Sequence, residues 1–438
     1  MRISNNISKI SWTAVDKATF VLYGIASIAL LKVTNSFELG LFTLFNNLHN
    51  LIFAVGNYLG LQSLLHFSVD DKQKPFVNFY SMITMVSVVV FLNLLLFFIK
   101  EPLSILFNEP HLIEVISALP IIMLLTIPRF FNMMICYREM QIWRLFVANL
   151  VYFGVMSGII FYNVLNDTFL THSDLIDIIY IGSALSIFVG TILNIKYWKF
   201  KLPNKNTTVK YKDIITYSVK FSIGGIAITI PRTLDVYAIQ FFLGTSIVGL
   251  YAPAKTIFRF VEDIMNAVYH TIYSSAVKYF ATNDIININK LTSKSISLML
   301  VFFICCTLFC WIFGDNLFNL FLPEKFVSAL SIFNCLMLTS ILLPFTLINT
   351  IINAEGKPEL VSKYNLIGVI IWFISFWIVG TFLSDAIEVV AIPYVVFTLV
   401  LSILFVRYAM KNYNLKLVQF FRFFADTYNF ILSKYKAK

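Results

Sequence analysis

Twelve apolar runs, each long enough to cross a bilayer, constrain what this chain can fold into. They fall near 12–32, 38–66, 76–98, 112–137, 146–164, 175–195, 214–243, 247–277, 291–313, 327–354, 361–382 and 387–406. A helix needs about 20 apolar residues to span the hydrocarbon core, and it satisfies its own backbone donors and acceptors there. Several runs exceed that length, which implies tilt or protrusion into water. The expected fold is an all-α polytopic membrane protein with twelve transmembrane helices. Composition agrees: 59% of the 438 residues are hydrophobic and 13% are charged, about half the charged share of a soluble domain. Soluble, secreted and disordered classes are excluded.

Orientation follows from Lys and Arg. With the N-terminus in the cytoplasm, inner segments hold 24 basic residues, among them Lys72, Lys74, Arg138, Arg144 and the cluster from Lys196 to Lys212. Outer loops hold only Lys32, Lys100 and Lys325. That asymmetry predicts both termini in the cytoplasm. The net charge of +10 is thereby explained by anchoring beside anionic headgroups, and no nucleic-acid partner is expected. The first run lacks a basic head and a small-residue cleavage site, so it is expected to stay uncleaved. The five cysteines lie in apolar segments without metal-ligand spacing and read as small hydrophobes.

The polar interruption at 196–212 divides the chain into two halves of six runs, predicting an N-terminal lobe over 1–200 and a C-terminal lobe over 201–410. Within the tail, 411–438, residues 415–433 carry Lys416, Gln419, Arg422, Asp426, Asn429 and Ser433 at steps of three or four. That stripe predicts an amphipathic helix on the inner leaflet. The halves look related. A shift of 209 places Gly40 on Gly249, Asn46 on Lys255, Asn50 on Arg259 and Asn57 on Asn266. A shift of 217 places Asn132 on Asn349. Paired matches in corresponding spans point to duplication, a common construction in secondary transporters.

Six bases lie inside otherwise apolar stretches: Lys17, Arg129, Lys220, Arg232, Lys255 and Arg259. A charge at membrane depth costs several kcal/mol by contested estimates, on the order of 3 or more, unless a polar cavity or partner receives it. A cationic interior fits an anionic cargo. In span eight, Lys255, Arg259, Glu262 and Asp263 stand at i, i+4, i+7 and i+8, on one helical face. Arg259 lies roughly 18 Å along the axis from Ile247, near the midplane. This face could meet an anionic group, with the acids restraining the arginine; the alternative is a self-neutralising cluster that packs spans together. Span seven offers Arg232 and Asp235 just after Pro231, read either as a charge pair on a bending helix or as a local pair beside an incidental kink. Asp16 and Lys17 are consecutive and so face different ways, and Lys17 either lines a cavity or snorkels to the headgroups. Lys220 is placed to snorkel. Arg129 follows Pro128 deep in span four and is a cavity candidate. Asn46, Asn50 and Asn57 would form a neutral polar wall able to bond hydroxyl groups, or would glue helices together. His49 and His270 read as structural histidines, with proton sensing as the alternative.

The segment FFLGTSIVGLYAPAKTIFRFVEDI, 241–264, with Leu243-Gly244 followed by Gly249-Leu250-Tyr251 and Ala254, resembles the junction of spans seven and eight in Wzx-type polysaccharide or O-antigen flippases. LINTIINAEGKPELVSKYNLIG, 347–368, is similar to that family's tenth span and its cytoplasmic exit. The resemblance implies two pseudo-symmetric six-helix lobes around a central cavity with alternating access. It implies a bacterial cytoplasmic (inner) membrane location. The implied cargo is a lipid-linked oligosaccharide on polyprenyl pyrophosphate. It also implies membrane lipids and polysaccharide polymerase machinery as further partners. Rival readings are a multidrug exporter or a lipid II flippase of the same superfamily, and a membrane-bound glycosyltransferase or polymerase, which the short outer loops oppose. No nucleotide-binding loop, zinc signature or nucleophile elbow occurs, so no cofactor, metal or enzymatic activity is expected.

Overall fold

The computed structural model describes residues 3–68, 71–202, 209–383, 387–413 and 415–416. The amphipathic tail anticipated at 415–433 lies almost wholly outside the described residues. Every expected apolar run coincides with a helical stretch. The first half contributes α1 (Ile3–Leu30), α2 (Ser36–Gly56), α3 (Gln62–Phe67), α4 (Lys74–Leu106), α5 (Leu112–Arg138), α6 (Ile142–Leu165) and α7 (His172–Asn194). The second contributes α8 (Tyr211–Thr233), α9 (Asp235–Leu243), α10 (Thr245–Ala281), α11 (Ile285–Phe321), α12 (Ala329–Leu342), α13 (Leu347–Ala354), α14 (Pro358–Phe382) and α15 (Ile392–Asn412).

Among the described residues, nine helical stretches are long and apolar enough to cross a membrane. The expected spans outside that set are α1, the α8–α9 pair and α10. These same helices carry Asp16 and Lys17, Lys220, Arg232 and Asp235, and the four charges from Lys255 to Asp263. Five of the six bases in apolar stretches thus lie outside the nine, and Arg129, on α5, lies within them.

Three spans are interrupted. Between α2 and α3 the chain widens into a π-helical turn over Asn57–Leu61, a form often found at functional sites. Pro231 removes a backbone donor near the end of α8, and the helix restarts at Asp235 after Leu234. Pro344 likewise turns the chain through a short 3₁₀ segment, Leu343–Thr346, between α12 and α13.

By contacts the chain forms two compact units, residues 1–252 with 322–326, and residues 253–321 with 327–438. The division falls inside α10, between Ala252 and Pro253, and α8 and α9 pack with the first unit. The 1–200 and 201–410 lobes anticipated from the repeat are a statement about symmetry and remain a proposal. In the first unit α1 lies along α6, with Phe20 and Tyr23 against Phe153 at 4.5 and 5.4 Å between ring centroids. Helix α7 starts with a capping box, Thr171 and Asp174 each satisfying the other's backbone N–H, worth about 1 kcal/mol. In the second unit α12, α14 and α15 pack together, and Trp372 of α14 is fully buried there.

The repeat has a direct structural counterpart inside the first unit. A Cβ added to Gly40 in α2 would sit 2.2 Å from the Thr245 carbonyl oxygen, and one added to Gly249 in α10 would sit 1.7 Å from the Ser36 carbonyl oxygen. The shift of 209 that pairs Gly40 with Gly249 also pairs Ser36 with Thr245. Each helix therefore presses its first residue onto the glycine of its counterpart, a reciprocal crossing that only a residue without a side chain permits. Buried Glu109 braces it, accepting hydrogen bonds from the Thr245 hydroxyl and the His111 N–H. Gly249→Ala is expected to lower stability by about 1–3 kcal/mol through overpacking against backbone. Gly154→Ala, where no atom lies within 4 Å, is the control and should be neutral or slightly stabilising. Equal thermal midpoints for the two variants would contradict the crossing.

Candidate functional site

In the first unit the structure joins three helices through one chain of polar groups. Asp16 on α1 is 4% exposed, and its Oδ1 accepts a hydrogen bond from Asn149 Nδ2 on α6 at 2.9 Å. Asn149 Oδ1 in turn accepts from Arg129 Nη2 on α5 at 3.0 Å. The guanidinium lies 3.8 Å from the centroid of the Tyr152 ring, a cation–π contact that compensates part of its desolvation. Acid and base are thus linked through an amide that gives to one and receives from the other. Arg129 Nε is buried and has no hydrogen-bond partner among the described residues. Beside it lies a cavity of about 10 Å³, lined in part by Arg129, Asn132, Asn149, Ser186 and Asn194, which has room for one water.

Lys17 points the other way. It is exposed, with Nζ 4.8 Å from the Phe20 ring centroid, as two consecutive helical residues require. On α2, Asn50 is exposed and donates to Asn46 Oδ1 at 3.3 Å, so these two asparagines share a face. Asn57 begins the π-helical turn, and its Oδ1 is buried without a hydrogen-bond partner among the described residues. His49 is buried between Phe45 and Phe53, its Nε2 3.4 Å from the Thr126 hydroxyl. The His270 side chain is outside the described set.

Asp235 is 1% exposed. Its Oδ2 accepts from the Tyr251 hydroxyl at 2.6 Å, and its Oδ1 accepts from the Val236 N–H at 2.8 Å. The carboxylate therefore ties the start of α9 to the start of α10, at the break that Pro231 creates. Arg232, three residues earlier, is half-buried.

In the second unit, the span-eight constellation divides. Lys255 and Glu262 are half-buried, whereas Arg259 and Asp263 are exposed. Glu262 Oε1 accepts a hydrogen bond from the Tyr394 hydroxyl on α15. Arg259 has no hydrogen-bond or ion-pair partner among the described residues, so neither acid restrains it in the way the spacing alone allowed. The 347–368 motif serves a local purpose: Glu355, just past α13, accepts from Tyr413, Tyr408 and Lys357 at 2.6, 2.9 and 2.5 Å. Burial alone would push this carboxyl up, but those hydrogen bonds outweigh it and hold its pKa below the usual value.

Sequence reasoning singled out Asp16, Arg129, Asp235 and Glu262 but not the residues that hold them: Asn149, Tyr251 as a donor, and Tyr394. It also passed over Glu109 and the pair formed by Glu38 and His172, 2.7 Å apart. Among the described residues no group of His, Cys, Asp and Glu could hold a metal ion.

The polysaccharide biosynthesis protein family model matches residues 35–331, more than half of the chain. The chain belongs to this family. Its fold is shared with known transporters. A multidrug resistance MATE family transporter of the MOP superfamily, in an inward-facing conformation, superposes with a TM-score of 0.74 at 15% identity, over 90% of this chain and 94% of that one. The lipid II flippase MurJ, in an inward closed conformation, gives 0.74 at 13% identity, over 98% and 93%. A MOP superfamily transporter from Pyrococcus furiosus, described by a reversed polarity of its binding pocket, gives 0.58 at 14% identity, over 93% and 94%. At these identities the likeness establishes the fold alone, an all-helical one of multi-pass membrane type. No curated protein sequence matches the chain.

Proposed function

We propose that the protein flips a polyprenyl-pyrophosphate-linked oligosaccharide, an O-antigen or capsular repeat unit, from the cytoplasmic to the outer leaflet of a bacterial inner membrane by alternating access. One observation carries the reading: an arginine with no partner among the described residues, Arg259, stands exposed about midway along a helix of a polysaccharide biosynthesis family member. A guanidinium without an acid at this depth is costly to keep and is matched by a phosphate cargo that replaces its hydration. Arg259, Lys255 and Arg232 would take the pyrophosphate. Asn46, Asn50 and Asn57 would meet sugar hydroxyls, and the prenyl tail would remain in lipid. Lys17 is assigned to the headgroup region. Arg129 is assigned to holding Asp16, and Asp235, Glu262 and Asp263 are assigned to ion coupling. Polymerase machinery would receive the flipped unit.

No hydrolysis of a nucleotide is needed. Each charge moved through 100 mV is worth about 2.3 kcal/mol, so a doubly negative headgroup moving outward gains roughly twice that before any cation travels with it. Deletion of the gene is expected to accumulate one lipid-linked oligosaccharide on the inner leaflet and to strip the surface glycan. A multidrug exporter would change drug sensitivity instead, and a lipid II flippase would be required for growth. Asn50→Leu should reduce export severalfold at unchanged membrane abundance, because the exposed amide is lost without disturbing a buried partner. Wild-type export in that variant removes α2 from the sugar wall.

A further inference from the structure

A recess unrelated to the charged groups opens on the surface of the first unit. It has a volume of about 330 Å³ and lies between α4 and α5, lined by Val90, Asn93 and Phe97 on one helix and Pro120, Met123 and Leu124 on the other. Val90, Phe97 and Leu124 are exposed. The Lys74–Leu106 stretch is the least buried of the nine candidate spans, at 22%. Asn93 stands well inside it, so whatever reaches the recess arrives through hydrocarbon.

The walls are apolar with one exception. Asn93 is 8% exposed, and its Nδ2 donates to the Val89 carbonyl at 2.9 Å. Its Oδ1 is buried and accepts no hydrogen bond among the described residues. An acceptor left unpaired in an apolar setting is destabilising, and a donor brought to it recovers that loss. The lining contains no charged side chain, so an ionised headgroup would find no partner there. The volume is at the low end for ligand pockets, roughly 300–1,000 Å³, enough for one end of a chain while the rest stays in the bilayer.

We propose that the α4–α5 recess is a binding site for a neutral long-chain lipid alcohol, whose hydroxyl donates to Asn93 Oδ1 and whose chain packs on Val90, Phe97, Met123 and Leu124. Pro120 interrupts the hydrogen-bond ladder of α5 at the recess. An occupant wedged there stiffens α5, the helix that carries Arg129 to Asp16 through Asn149. The site is independent of the cargo assigned above.

The test uses purified full-length protein in lipid nanodiscs. The probes are a photoactivatable long-chain primary alcohol and its methyl ether, which cannot donate. The alcohol should label α4 and α5 peptides saturably and about tenfold more tightly than the ether, the value of one hydrogen bond regained. Asn93→Leu should bring the alcohol to the ether's level and leave the ether unchanged, and Val90→Trp should fill the recess and remove both. Equal labelling by alcohol and ether, or an Asn93→Leu variant that still prefers the alcohol, overturns the proposal and leaves bulk lipid as the occupant. If Asn93→Leu does not fold, competition between unlabelled alcohol and unlabelled ether on the wild-type protein decides the same point.

Discussion

Arg259→Ala should abolish surface polysaccharide while leaving the protein in the membrane at normal abundance. The side chain is exposed and has no partner among the described residues, so its removal orphans no buried acid and leaves the fold unharmed. What is lost is a set of charge-assisted hydrogen bonds to phosphate, each worth about 1.5–3 kcal/mol. A single such bond corresponds to roughly 10- to 150-fold in transport rate if it is made in the rate-limiting state. Arg259→Lys should restore part of the export, because it keeps the charge but loses the planar fork that engages two oxygens at once. Quantitative surface glycan staining, alongside immunoblotting for abundance, reads both variants. Undiminished glycan in Arg259→Ala would remove the phosphate role and move the pyrophosphate assignment to Lys255 or Arg232.

The second large effect is on stability. Asn149→Leu takes the donor from Asp16 and the acceptor from Arg129 in one step, leaving a carboxylate and a guanidinium inside the protein without their shared amide. Breaking a buried charge network by removing one member costs about 3–5 kcal/mol. The variant should therefore show a markedly lower thermal midpoint and reduced membrane abundance. Asn149→Asp should be milder, because it still accepts from Arg129, although it sets a second carboxylate beside Asp16. Asp16→Asn in the Asn149→Leu background should recover part of the loss, since an amide tolerates burial better than an unpaired carboxylate. Midpoints within error of wild type for Asn149→Leu would show that water, not Asn149, carries the link between α1 and α5.

These two residues differ in what the sequence allowed. Arg259 was legible because its spacing from Lys255, Glu262 and Asp263 is local, and helical periodicity converts such spacing into a shared face. The same rule could not say that Glu262 turns to Tyr394, 132 positions away, and so could not foresee that Arg259 lacks an acid. Arg129 was recognised as costly and Asp16 only as the neighbour of Lys17, and their link runs through a residue 133 positions from Asp16 and 20 from Arg129. Asn149 itself is one of many asparagines in apolar surroundings, and nothing in its neighbours distinguishes it. The repeat was visible as Gly40 over Gly249, yet the reason both are glycine emerged only when each was seen against the other's counterpart residue.

Read alone, the amino-acid order determined that this chain is a series of apolar helices suited to a bilayer, which of them carry charge, and that matching residues recur in its halves at a constant shift. Those properties follow from residue-by-residue transfer energies and from periodicity, both of which act over one or two helical turns. Only the tertiary structure decided which charges are satisfied inside the protein and which remain open, where the helices break and touch, and that the Asn93 amide oxygen beside an apolar recess accepts no hydrogen bond among the described residues. Such pairings depend on side chains brought together from distant helices, and hydrogen bonding between them leaves no local trace in the order of residues.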